Sequence, residues 1–236
     1  MFNPIARVTA LLALVALPVL AQEDTRPTIA VLPFVNSAIG ASNIELAPLS
    51  KGIADLLINE LAQNPGIRLV ERENIQKLLD EQNLGRDGRV EAATAAQLGK
   101  LLGAKHLVTG SFITDRSGKM VLTLKSIDTE TGRIEWTSTQ NGKTEEFLDL
   151  VTRAGAAANA GLKLPAIAAV ARQSSEARTE QQRKVPFQAV MLYSRAISAQ
   201  DSGNRAQAIE LLSQAISAFP NFADAKAAKA KLESSR

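Results

Sequence analysis

Residues 105–140 read KHLVTGSFITDRSGKMVLTLKSIDTETGRIEWTSTQ, and their reading decides the fold. Three β-branched and apolar runs, Lys105–Thr114, Lys119–Ile127 and Arg133–Gln140, are separated by Asp115-Arg116-Ser117-Gly118 and Asp128-Thr129-Glu130-Thr131-Gly132. Each connector opens on an Asp and closes on a Gly, which supplies the positive φ that tight hairpin turns need. The stretch is therefore read as a three-stranded antiparallel meander. In its middle strand Met120, Leu122 and Leu124 alternate with Val121, Thr123 and Lys125, so the first three are expected in the core.

Toward the N-terminus the period changes. Thr28–Val35 (TIAVLPFV) is apolar on both parities, as a strand covered on both faces should be. Pro33 cannot donate to a ladder, so the strand must end, bulge or reach an edge there. Leu49, Ile53, Leu56, Leu57 and Leu61 recur at helical spacing until Asn64-Pro65-Gly66 stops them. A short strand is expected over Ile67–Val70. A second helix is marked by Ile75, Leu78, Leu79 and Gln82 and closed by Leu84-Gly85, and a third spans Ala92–Leu102 with Gly103 at its C-cap. A closing helix is expected over Thr144–Leu162. Helices early and a meander late imply an α/β (α+β) fold, a mixed sheet flanked by helices, over residues 22–163.

The ordered series Ile29-Ala30-Val31-Leu32-Pro33-Phe34, Leu49 to Leu57, Leu69-Val70-Glu71-Arg72 and Leu98 to Phe112 resembles the CsgG-like family of curli secretion. Its TolB-N-like and penicillin-binding-protein activator relatives share much of it. The likeness covers roughly residues 28–160. It implies an envelope accessory domain without enzymatic activity. Curli channel subunits are lipidated and give long hairpins to a shared membrane barrel. Here there is no cysteine to carry a lipid, and the turns at 115–118 and 128–132 leave no spare strand pairs of the 9 to 11 residues that a membrane strand needs.

Residues 1–21 read as an export leader. Arg7 precedes an apolar run, Val8–Leu20, broken only by Thr9 and Pro18, and Val19 and Ala21 suit a cleavage site before Gln22. The run is shorter than the roughly 20 apolar residues of a membrane span, so no transmembrane span is expected in the mature chain. With no cysteine there is neither lipid anchor nor disulfide nor thiolate metal site. The net charge of +3 includes Arg7, and basic residues are not clustered among aromatics, so a nucleic-acid partner is not expected.

Residues 164–186 read as a linker between Pro165 and Pro186, and residues 187–236 as a helical hairpin with a capping helix over Ala223–Leu232. Leu192, Ala196 and Ala199 mark one face of its first helix and Ala208, Leu212 and Ala215 one face of its second, with Gly203-Asn204 as the turn and Pro220 as the stop. This spacing resembles a single tetratricopeptide (TPR) repeat, although Leu192 and Ala199 stand where Trp and Tyr are common. One repeat cannot bury its own faces, so it must lean on the cap, the linker, the first domain or a neighbouring subunit. A helical appendage without a ligand is the alternative. Large apolar residues anchor interfaces, which selects Leu192, Tyr193, Leu212, Phe219 and Phe222 as candidate partner-binding residues.

No catalytic, cofactor-binding or metal-binding residue is assigned. His106, the only histidine, is expected to be a core or edge residue. Glu71, Glu73, Asp80 and Glu81, beside Arg72 and Lys77, read as a solvated salt-bridged helix face. Trp136 reads as packing. Gly85 and Gly88 lack the spacing of a phosphate loop. The expectation is a non-enzymatic accessory protein of the periplasm, including its outer-membrane face, that binds other envelope proteins or itself in assembly or secretion. The alternative is a subunit of a curli-type outer-membrane secretion channel.

Overall fold

The computed structural model describes residues 24–38, 40–82, 91–165 and 184–234. The leader, the close of the second helix at Leu84-Gly85 and the middle of the linker lie outside the described residues.

The strands are β1 (Thr28–Val31), β2 (Val35–Asn36), β3 (Arg68–Leu69), β4 (His106–Thr114), β5 (Lys119–Asp128) and β6 (Ile134–Lys143). They form one mixed sheet in the order β3-β1-β4-β5-β6, with β2 pairing β4 as well. β1 runs parallel to β3 and β4, whereas β4, β5 and β6 are the antiparallel meander. Pro33 divides β1 from β2, as a residue without an N–H must. Across the break the chain stays tied down: Leu32 N–H donates to the Val108 carbonyl at 2.8 Å and Phe34 N–H to the Ser50 carbonyl at 3.0 Å. Gly118 and Gly132 take φ of 79° and 69° at the two hairpin turns. β6 runs three residues past Gln140, because Asn141 and Gly142 stay in register with Val121 and Met120.

The helices are α1 (Ala41–Glu45), α2 (Leu49–Leu61), α3 (Arg72–Glu81), α4 (Ala92–Leu101), α5 (Phe147–Gly161), α6 (Phe187–Asp201), α7 (Arg205–Ala218) and α8 (Ala223–Ser234), with a 3-10 turn over Thr144–Glu146. None of the described helices is long and apolar enough to cross a membrane.

Parity along the strands sets which face each helix covers. Ile29, Val31, Val108, Leu122 and Leu124 point to one side, where α2 and α5 deliver Ile53, Leu57, Leu150, Val151 and Ala154. Ala30, Leu32, Leu107 and Ile127 point to the other, under Ile75, Leu79, Ala95 and Leu98 of α3 and α4. Met120, Leu122 and Leu124 are buried as expected. The first cluster does not stop at the globule. It continues without a break into α6, α7 and α8 through Ala189, Val190, Tyr193, Leu212, Phe222 and Leu232. The hairpin therefore meets its shortage of surface by leaning on α2 and on the α8 cap.

Candidate functional site

The site is the seam between the globule and the C-terminal helices, and it grows from two stripes on α2. The apolar stripe enters the core. Beside it Lys51, Asp55 and Asn59 recur at four-residue spacing, which places them in one row on the helix surface. Gly52 lies between the stripes, against α6. A Cβ at Gly52 would lie 2.0 Å from Ser194 Oγ and 2.7 Å from its Cβ, so a side-chain-free position is what lets the two helices approach this closely.

α3 starts with Arg72, which is 9% exposed and threads between the two bodies. Its Nε donates to Asp55 Oδ1 at 2.9 Å, and Nη1 donates to Asp201 Oδ1 near the end of α6. Lys51 Nζ sits 2.8 Å from the other Asp201 oxygen. The Tyr193 hydroxyl donates to Asp55 Oδ2, so both oxygens of Asp55 are engaged. Asn59 donates to Asp224 of α8 at 3.2 Å, and Gln200 to Glu73 at 3.1 Å. At the rim Lys231 Nζ reaches Glu71 at 3.1 Å and Glu73 at 3.0 Å. Burial pushes the Asp55 carboxyl above its usual value, against the pull of the Arg72 charge and the Tyr193 hydroxyl. Burial and the neighbouring Asp55 charge hold the Tyr193 phenol well above its own usual value. Glu73 is pushed up by burial, but its own backbone N–H, Lys231 and Arg72 together bring it below the ordinary range.

Most of these groups, though not Lys51 or Asp201, line a cleft of about 320 Å³, with Asp55, Arg72, Tyr193 and Asp224 inside and Glu73 and Lys231 at the mouth. The inner groups satisfy one another and hold the two bodies together. The rim charges are exposed ion pairs of the kind that exchange partners at little cost.

Arg72 therefore departs from the solvated face expected for 71–81. It turns inward because two carboxylates from different elements converge on it, while Glu71, Lys77, Asp80 and Glu81 remain exposed. The partner-binding candidates divide in the same way. Tyr193, Leu212 and Phe222 are 0% exposed. A side chain with no accessible surface cannot anchor a partner, so these three are corrected to core residues of the seam. The Tyr193 and Phe222 rings pack 5.3 Å apart. Leu192 and Phe219 are half-buried against the same cluster. The linker ends are also seated: Asn64 Nδ2 donates to the Pro165 carbonyl at 2.9 Å, and Val185 is buried.

His106 is buried at the start of β4, with Nδ1 2.6 Å from Glu135 Oε1, which also accepts from Ser126 Oγ at 2.9 Å. Sequence reading missed Glu135. It is the unpaired residue at the β5–β6 irregularity next to Ser126 and Ile127, and no periodicity announces a bulge. Trp136 packs against Gly161 of α5. Among the described residues no group of three or more His, Cys, Asp or Glu side chains converges in a way that could hold a metal ion.

Several solved structures are similar to part of this chain at low identity. The C-terminal domain of LpoB from Salmonella enterica matches at 16% identity over 50% of this chain and 83% of its own, with a TM-score of 0.37. Lipoprotein GNA1162 from Neisseria meningitidis matches at 11% identity, over 49% of this chain and 79% of its own, with a TM-score of 0.38. A PelC dodecamer from Paraburkholderia phytofirmans matches at 16% identity, over 59% and 89%, with a TM-score of 0.34. No curated protein matches the chain. Residues 11–115, which include the α2 and α3 side of the seam, match the model of the family described as the curli production assembly/transport component CsgG.

Proposed function

We propose that this chain is a non-enzymatic accessory protein of the cell envelope, acting through protein contacts in the assembly or secretion of an envelope structure. The match of residues 11–115 to the CsgG family model carries the reading. The leader expected over 1–21 supports a periplasmic location. The C-terminal helices, read as one TPR-like unit with its cap, add a second surface that the globule holds rigidly. A partner would dock across the mouth of the seam cleft, where Glu71, Glu73 and Lys231 can trade their mutual ion pairs for charged groups of the incoming chain. Half-buried Leu192 and Phe219 supply apolar area nearby on the helical body.

The test is site-specific photo-cross-linking in living cells, with the reactive residue at Lys231, at Glu71 and, as a control, at Lys119 on the far hairpin. The expected result is an adduct with a different envelope protein from the two seam positions and none of that kind from the control. Adducts from the control alone would remove the seam as the docking surface. Ion conductance of the purified protein in planar bilayers would replace this reading with the channel-subunit reading.

A further inference from the structure

Among the described residues β6 pairs with β5 alone, so its other side is a sheet edge. The direction of its backbone groups follows from one bond. Thr144 N–H donates to the Gly118 carbonyl at 2.9 Å, one step beyond the Lys119–Lys143 pair. Antiparallel alternation then turns the N–H and C=O of Trp136, Ser138, Gln140 and Gly142 toward β5, and those of Thr137, Thr139, Asn141 and Lys143 outward. All four outward residues are exposed. No proline lies in β6, and its one irregularity, at Glu135, disturbs only the first end. An edge of this length without such blocks is a template for another strand.

We propose that this edge is an isologous interface: β6 of a second copy adds antiparallel about a two-fold axis through Thr139, merging two sheets into one. Because only odd-numbered residues point outward, odd must pair with odd across the axis. About Thr139, Thr137 faces Asn141, Ser138 faces Gln140 and Trp136 faces Gly142, an aromatic over an edge glycine. The lone charge of the outward row, Lys143, falls opposite the bulge at Glu135, so no like charges meet. Beside the edge a shallow depression is lined by Asn141, Glu146, Asp149 and Arg153. Arg153 already donates to the Asn141 carbonyl at 3.0 Å from the α5 side and pairs with Asp149 at 3.0 Å. The carbonyl keeps its second lone pair for a strand. Two carboxylates and one guanidinium form a set that a two-fold axis can match with its own copy.

The absence of cysteine makes the test clean, since an introduced thiol is the only one in the chain. Paired residues on the axis have Cα atoms about 5.5 Å apart, within disulfide reach. Thr139→Cys should therefore cross-link to itself under mild oxidation of the purified full chain. Thr137→Cys alone should not, whereas Thr137→Cys combined with Asn141→Cys should. In sedimentation the unmodified chain should form a dimer that Thr139→Lys weakens by roughly tenfold or more, by setting like charges against each other. Thr139→Pro removes an outward N–H without breaking the β5 ladder and should act alike, which guards against a fold defect in either variant. A chain that stays monomeric at every concentration, or that cross-links through Thr137→Cys or Gln140→Cys in preference to Thr139→Cys, overturns the proposal.

Discussion

The two faces of the sheet are closed by different means. One carries a cluster that reaches from β1 through α2 and α5 to Leu232 of α8. The other carries a smaller cluster under α3 and α4 and leaves the outer part of β5 and β6 to water, where Thr123 and Thr139 face each other at 3.4 Å. The difference is written in parity. Strands apolar at every position, such as Ile29-Ala30-Val31-Leu32, are covered twice, whereas Met120 to Lys125 alternates and is covered once. α2 repeats the lesson on a helix, with an apolar stripe for the core and a polar row for the seam.

The largest expected effect tests whether the first face is one body. Leu212→Asp puts a charge into the shared cluster, at a cost of several kcal/mol or more. It should unfold the helices and the globule together, read by the emission of Trp136 on the far side of that cluster. The same substitution at Thr139 on the open face should move the stability of the dilute, monomeric chain by less than about 0.5 kcal/mol. If Leu212→Asp left the Trp136 signal native, the helices would be a separable module and the contrast would break. Next in size is Arg72→Ala, which strands Asp55 and Asp201 without their common partner. Its expected cost is about 3–5 kcal/mol in urea denaturation, and a loss below about 1 kcal/mol would show the network to be solvated.

Much of this was legible beforehand. The meander, the break at Pro33 and the stops at Asn64 and Pro220 are local signals, and local chemistry set them. The seam was not legible, because its parts are 17 to 165 residues apart in the chain. Glu71-Arg72-Glu73 reads as surface until carboxylates from α2 and α6 arrive. The large residues of the hairpin looked like anchors for a partner for a related reason. Tyr193 and Phe222 do anchor an interface, but it is the one this chain makes with itself.

Two smaller tests sharpen the contrast within the seam. Gly52→Ala should cost about 1–3 kcal/mol by forcing α6 away from α2. The loss should shrink when Ser194→Gly is the background, since the clashing side chain is then gone; an equal loss in both backgrounds would mean that backbone freedom, not close approach, selects the glycine. The pH response should be the smallest effect, and it carries two opposite signs. The carboxyl of Asp55 is raised in the folded state, so its burdening effect is full near neutrality and is relieved as pH falls toward the ordinary Asp range. Glu73 is lowered, so its contribution is present above the ordinary Glu value and is lost as pH falls below it. Thermal melts across that window should show a shallow rise and then a fall. Asp55→Asn should remove the rise and Glu73→Gln should soften the fall; a monotonic profile unchanged by either would assign the acid response elsewhere.

Because Leu232 belongs to the same cluster as Ile29, the order of synthesis bears on when this protein can become itself. A ribosome delivers the strands and α2 before α6 to α8 exist, so the early chain carries an unfinished apolar surface that those three helices cover. Such a chain keeps that surface open until α6 to α8 have been made and can dock on it. For the same reason, losing α8 would disturb a packing partner about two hundred residues upstream.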